Sequence, residues 1–209
     1  MKHFFLHTVI PFPFIILLFC FVTVHAQRLE VHGIKDFSTD DNANHAWGVG
    51  GMVEFDQLVK QTTFKVYFDW ATYKEKNNAS NPNYQRMGGG IAACYSIDFS
   101  KKFTFQCGVE VNYMYLKHSY IYTYDVLDSV TSKPLTVLQK GSFLGIGPHI
   151  GLLYKLSPRF SVALNVVPTY LISIGRKSSV IAIEPEYNKG IWLFPIRFGI
   201  SYQLFNQDK

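Results

Sequence analysis

Three sets of residues have side chains and spacings that could support chemistry. The first is His118-Ser119, a base beside a nucleophile. Nucleophilic catalysis needs the base within hydrogen-bond reach and an acid to orient it. If the pair lies in a strand, the two side chains point to opposite faces and cannot cooperate. The second is Gly88-Gly89-Gly90 and Gly145-Ile146-Gly147, which have the look of phosphate loops. Neither has the Lys-Ser/Thr pair or the following helix that such a loop requires, so they read as packing glycines. The third is a set of charges of both signs: Glu54, Lys65, Asp69, Arg86, Asp98, Glu110, His149, Lys155 and Arg197. No catalytic constellation, metal-ligand cluster or cofactor motif emerges, so no catalytic residue, metal or cofactor is expected.

What positions the third set is a period of two, the signature of half-buried strands. From Phe103 the odd positions are Phe103, Phe105, Cys107, Val109, Val111, Tyr113 and Tyr115, while the even ones are Thr104, Gln106, Gly108, Glu110 and Asn112. A helix, with period 3.6, would mix these sets. The same split recurs around Phe64 to Trp70, Met87 to Ile97, Leu144 to Leu152, Phe160 to Tyr170 and Trp192 to Tyr202, and more weakly from Trp47 to Phe55. These make seven strands. An eighth is expected over residues 28–36, where Leu29, Val31 and Gly33 alternate poorly. Eight strands also make the connections alternate. Short ones at 58–62, 100–102 and 157–159 separate long ones at 37–46, 75–85, 125–139 and 176–189, the layout of outer-membrane barrels with short periplasmic turns and long external loops. Cys94 and Cys107 fall on opposite faces of neighbouring strands, so no disulfide is expected.

The amino terminus sets the compartment. Lys2 and His3 precede an apolar run over residues 12–24, and Val24-His25-Ala26 is a small-residue cleavage pattern. This is the plan of a secretory signal peptide over residues 1–26, leaving one domain over 27–209. Cleavage would leave 19 basic residues against 15 acidic ones, because Lys2 is the only ionised side chain removed. That mild excess, without a basic cluster interleaved with aromatics, argues against nucleic acid. Past the signal, Gly, Pro or charge interrupts every apolar stretch before it reaches the length of a spanning helix.

The oily face carries Trp47, Trp70, Tyr113, Tyr115, Tyr170 and Trp192 at the long-loop strand ends, and Phe55, Phe64, Phe99, Phe103, Tyr154, Phe160 and Tyr202 at the short-turn ends, with Val, Ile and Leu between. Two aromatic girdles around an aliphatic band match a lipid-facing surface. The sequence therefore predicts an all-β fold, an eight-stranded antiparallel up-and-down transmembrane barrel in the bacterial outer membrane with both termini periplasmic. An eight-stranded lumen is filled by its own side chains, and buried charges must be paired. Arg197 is expected to contact Asp69, Glu110 or both, and Lys65 to meet Glu54 or Asp56. A structural plug is the expected role of this set; a polar path for small ions is the alternative.

With its signal peptide, eight-strand plan, Gly-rich inward faces and closing strand 190–205, the mature chain resembles the PorT-like outer-membrane β-barrel family, and in architecture the small OmpA- and OmpX-type barrels. Such barrels commonly end on an aromatic that the insertion machinery reads; here residues 206–209 follow Phe205. The resemblance covers nearly all of the mature chain and implies fold more than activity. The implied function is a non-catalytic integral membrane protein acting in structure or surface interaction through its long external loops. Its expected partners are outer-membrane lipids and lipopolysaccharide, the barrel-insertion machinery and a protein at the external loops, and no nucleic acid. The alternatives are a lipid A-modifying barrel enzyme of the deacylase kind, whose spaced His-x-Ser pattern is absent here, and a soluble lipocalin-like barrel that binds a ligand inside.

Overall fold

The computed structural model describes residues 28–38, 46–59, 61–74, 83–124, 133–178 and 191–204, without the side chains of 38, 56–59, 73–74, 83, 118–124, 133–139 and 176–178. The described residues form nine strands: β1 (Arg28–Ser38), β2 (Trp47–Val59), β3 (Thr62–Lys74), β4 (Asn83–Asp98), β5 (Phe103–Tyr124), β6 (Lys133–Lys155), β7 (Phe160–Val166), β8 (Thr169–Ser178) and β9 (Ile191–Gln203). β7 and β8 both lie between β6 and β9 and form one stave broken at Val167-Pro168. Pro168 has no N–H for the ladder, while Val167 still donates to Pro195 O at 3.3 Å. The barrel therefore has eight staves, each antiparallel to its neighbours. It closes where β1 pairs β9 from Arg28↔Gln203 to Ser38↔Leu193. Closure leaves no sheet edge around the wall, the condition for a sheet to stand in hydrocarbon.

The first stave, weak in apolar alternation, is fully paired on both sides. Its inward residues are Arg28, Glu30, His32, Ile34 and Asp36, all buried, while Leu29, Val31 and Phe37 are exposed. β1 begins and β9 ends at the end of the barrel that carries the short turns. Two of those turns share one device. In 99–102 and 156–159 a serine hydroxyl, Ser100 or Ser157, accepts from the backbone N–H of the phenylalanine three residues on, at 3.1 Å in both. The β2–β3 turn instead uses Gln61 at φ 63°.

At the opposite end the strands outrun the bilayer. β5 has 22 residues and β6 has 23, whereas about 9–11 tilted residues cross the apolar core. Their pairing runs on to Tyr124↔Lys133, past the last described partners on β4 and β8, Asn83↔Ser119 and Gln139↔Ser178. Part of what the sequence assigned to connections is therefore strand: β6 starts at Lys133 and β8 reaches Ser178.

Candidate functional site

The barrel is inside-out relative to a soluble protein. Large apolar side chains point away from it, and charged ones fill its middle. Trp47, Trp70 and Trp192 are 65%, 39% and 44% exposed, all on the outer wall. Tyr113, Tyr170, Phe103 and Phe160 are exposed with them, and Tyr202 is half-buried. The rings pack across strands: Tyr170 and Trp192 centroids lie 5.3 Å apart, Phe103 and Tyr154 4.7 Å, Phe160 and Tyr202 5.1 Å. Phe55, expected in the inner girdle, is a correction. It is 8% exposed, across from Phe64 and beside the register shift between Asp56 and Val59 that ends regular pairing.

The middle of the lumen is one connected ionic network. Arg197 on β9 donates through Nε to Asp69 Oδ2 at 3.0 Å, and through Nη1 and Nη2 to both Glu110 oxygens at 3.0 and 3.1 Å. Its guanidinium lies 4.0 Å over the Tyr67 ring, and the Tyr67 hydroxyl donates to Glu110 Oε1 at 2.5 Å. Fork-on-carboxylate geometry of this kind makes the stronger, directional hydrogen bonds. Towards the long-loop end, Arg86 forks onto Asp36 at 2.7 and 2.8 Å and reaches Asp69 at 3.5 Å. Towards the short-turn end, His149 Nδ1 meets Glu110 Oε2 at 3.0 Å. The carboxylate can only accept, so that nitrogen carries the proton, while Nε2 lies 3.2 Å from Lys65 Nζ and 3.1 Å from Asn165 Oδ1. Lys65 also lies 3.2 Å from Glu54, whose other oxygen accepts from Arg28 at 2.5 Å.

His32 lies between two acids, with Nε2 3.0 Å from Asp69 Oδ1 and Nδ1 3.1 Å from Glu30 Oε1, the latter close but not aligned as a hydrogen bond. Gly50 makes room for it, since a Cβ there would overlap both His32 Nε2 and Asp69 Oδ1.

Seven of the nine ionisable residues singled out in the sequence thus meet in one network. Asp98 and Lys155 do not, and this is a correction. Asp98 is exposed and accepts from Thr104 Oγ1 at 2.5 Å, and Lys155 is half-buried; both stand at the last residue of their strands. Sequence reasoning missed Tyr67 and, on β1, Arg28, Glu30, His32 and Asp36. The signal was present, as charge at alternate positions of β1. It also missed an apolar cap. Above the network, Ala46, Ala71, Tyr84, Met114, Leu116, Phe143, Leu171, Ile191 and Leu193 form a buried cluster across the long-loop end of the lumen.

This arrangement suits holding rather than turnover. Asp36, Glu54, Asp69 and Glu110 are each paired with Arg, Lys, His or Tyr, Glu30 accepts from the Asn165 amide, and the network is closed over by the apolar cap. Among the described residues no group of three His, Cys, Asp or Glu is placed to hold a metal. Cys94 faces in and Cys107 is half-buried on the outer wall. The backbones of His118 and Ser119 lie in β5; their side chains are outside the described residues. No helix among the described residues is long and apolar enough to cross a membrane, which leaves crossing by strands untouched.

No protein-family model matches the chain, and no curated protein matches it in sequence. Its structure is similar to those of small outer-membrane barrels. For Neisserial surface protein A the TM-score is 0.56 at 11% identity, over 85% of this chain and 96% of that one. For a major outer membrane protein from Thermus thermophilus it is 0.55 at 15% identity, over 86% and 100%. For Ail, the attachment invasion locus protein of Yersinia pestis, it is 0.51 at 8% identity, over 86% and 99%. At these identities the likeness shows the fold, an eight-stranded outer-membrane-type β-barrel.

Proposed function

We propose that this chain is a non-catalytic integral protein of the bacterial outer membrane, whose closed barrel anchors the long-loop end for contact with partners at the cell surface. The inverted distribution of polarity carries this reading: an exposed belt of Val, Ile, Leu and aromatics surrounds a buried, ion-paired lumen. In water the belt would be an apolar patch far larger than soluble monomers expose; in a bilayer it is the solvated surface. The sealed lumen argues against a passage for solutes.

On this reading residues 1–26 are a cleaved export signal, and both ends of the mature chain lie in the periplasm with the short turns. The long-loop end of the β5–β6 hairpin then stands outside the cell. The Gly-rich inward faces and the apolar alternation of Phe198, Ile200 and Tyr202 in the closing strand support membership of the PorT-like barrels and recognition by the barrel-insertion machinery. The test is alkaline carbonate extraction of membranes from expressing cells. The protein should remain in the pellet, show heat-dependent migration on gels, and have the mass of residues 27–209. Release into the carbonate supernatant would favour a soluble ligand-binding barrel instead.

A further inference from the structure

The outer wall near the long-loop end carries a pattern that neither the lumen nor the aromatic belt explains. In the β5–β6 pair Lys117 stands directly opposite Lys140. In the β6–β8 pair Lys140 stands directly opposite Lys177. Three basic positions thus form one row across three adjacent staves, continued on β4 by uncharged Gln85. Lys140 is exposed and Lys117 half-buried. Like charges directly opposite each other in a sheet destabilise it. Among the described residues no carboxylate lies within ion-pair distance of Lys117 or Lys140. Lys35, near the same end on β1, differs: its ammonium lies 4.4 Å from the Trp47 ring centroid and 5.7 Å from that of Phe37, so aromatic faces already partner it. Lys117 and Lys140 have no such ring partner among the described residues.

The height of the row says what it meets. Lys117 follows Tyr113 and Tyr115 on the outer face, and the Tyr113 hydroxyl donates to Ser142 Oγ at 3.0 Å. Counted from Phe103 in the inner girdle, at about 3.3 Å per residue and a tilt of about 40°, Lys117 stands about 35 Å along the membrane normal. The apolar band of such barrels is about 25 Å tall, so the row lies at headgroup level, directly above the exposed apolar surface of Leu144, Ile146 and Ile172. Basic side chains beside acyl-facing residues suit a ligand with anionic groups at one end and hydrocarbon at the other.

We propose that the row at backbone positions 117, 140 and 177, through the half-buried Lys117 and the exposed Lys140, binds the phosphates of an outer-leaflet glycolipid of the lipid A type, with its acyl chains along the apolar wall below. The inference rests on the reading above that the long-loop end faces outward.

The test uses the full mature barrel and its K117Q/K140Q/K177Q variant, each refolded into phosphatidylcholine vesicles containing bisphosphorylated lipid A, chemically dephosphorylated lipid A, or neither. In phosphatidylcholine alone the variant should melt at least as high as wild type, because removing the lysines removes their repulsion. Bisphosphorylated lipid A should raise the wild-type midpoint by several degrees and leave the variant unmoved, and the dephosphorylated lipid should move neither. An equal rise for both proteins, an equal rise with dephosphorylated lipid A, or the same rise with millimolar inorganic phosphate in its place would overturn the proposal. Orientation is read separately. In a C94S/C107S background, a Lys140→Cys barrel in intact cells should react with a maleimide-polyethylene glycol too large to cross the outer membrane. Reaction only after permeabilisation would overturn the outward reading, and with it the proposal, even if the vesicle result held.

Discussion

The lumen is filled in two different ways, and the two fillings constrain the sequence differently. Its middle is ionic. Arg197 is held by the Asp69 and Glu110 carboxylates and the face of the Tyr67 ring, and each partner is itself committed to another group. Its long-loop end is apolar, where Phe143, Leu171, Leu193, Met114 and Leu116 meet, with Arg86 Nη1 reaching the Met114 sulfur at 4.0 Å. Desolvated charges left without a partner cost several kcal/mol, so the ionic layer penalises any arrangement that separates its partners. The apolar cap needs volume and little else, so it seals the lumen while tolerating exchange.

The largest effect that would break this comparison is at Arg197. Arg197→Met keeps much of the volume but leaves Asp69 and Glu110 buried without their shared cation. A loss of about 3–5 kcal/mol is expected, since breaking a buried pair from one side strands the other charge. Urea titration of the barrel in phospholipid vesicles should show a clearly lowered midpoint. An unchanged midpoint would mean that water reaches the centre and that the ionic layer specifies nothing.

Glu110→Gln sharpens the same point with almost no change in shape. The amide keeps one acceptor for Arg197 but turns an N–H₂ towards groups that also donate, Tyr67, His149 and the second arm of Arg197. A loss of about 1.5–3 kcal/mol follows from removing charge-assisted hydrogen bonds. Combining it with Arg197→Met should cost less than the two added together, because the second change removes a charge that the first has already orphaned. Strict additivity in the same titration would show that the two residues are not coupled.

The two fillings were unequally legible in the sequence. Asp69, Glu110, His149 and Arg197 stood out because each interrupts a run of small or polar residues on one parity while the other parity stays oily. β1 was hard to place because apolar residues alternate poorly along it. Its information lay in Arg28, Glu30, His32 and Asp36, charged at period two and all facing in. Phe55 obeyed the parity and still turned out buried, because the rule assumes regular pairing and the ladder breaks next to it. The cap was invisible for a different reason. At that level neighbours on both parities are apolar, as in Leu171-Ile172, Leu193-Phe194 and Phe143-Leu144. Alternation therefore vanishes where lipid wraps one face and an apolar plug covers the other, and only closure of the barrel tells them apart.

The smallest expected effect is the one that best tests the cap. Leu193 is 1% exposed and belongs to the apolar cluster. Leu193→Met conserves volume and adds no polar demand, so it should cost less than about 1.5 kcal/mol. That is below the loss at Glu110, although Glu→Gln is the smaller change in shape. The two variants measured side by side in the same vesicles decide the matter, because lipid composition and refolding yield are then shared. If Leu193→Met proved as damaging as Glu110→Gln, the cap would be a fitted element with demands as specific as those of the ion pairs. If it is nearly silent, chemistry at the ionic layer selects the arrangement of the staves, and the cap completes it by excluding water from the charges below.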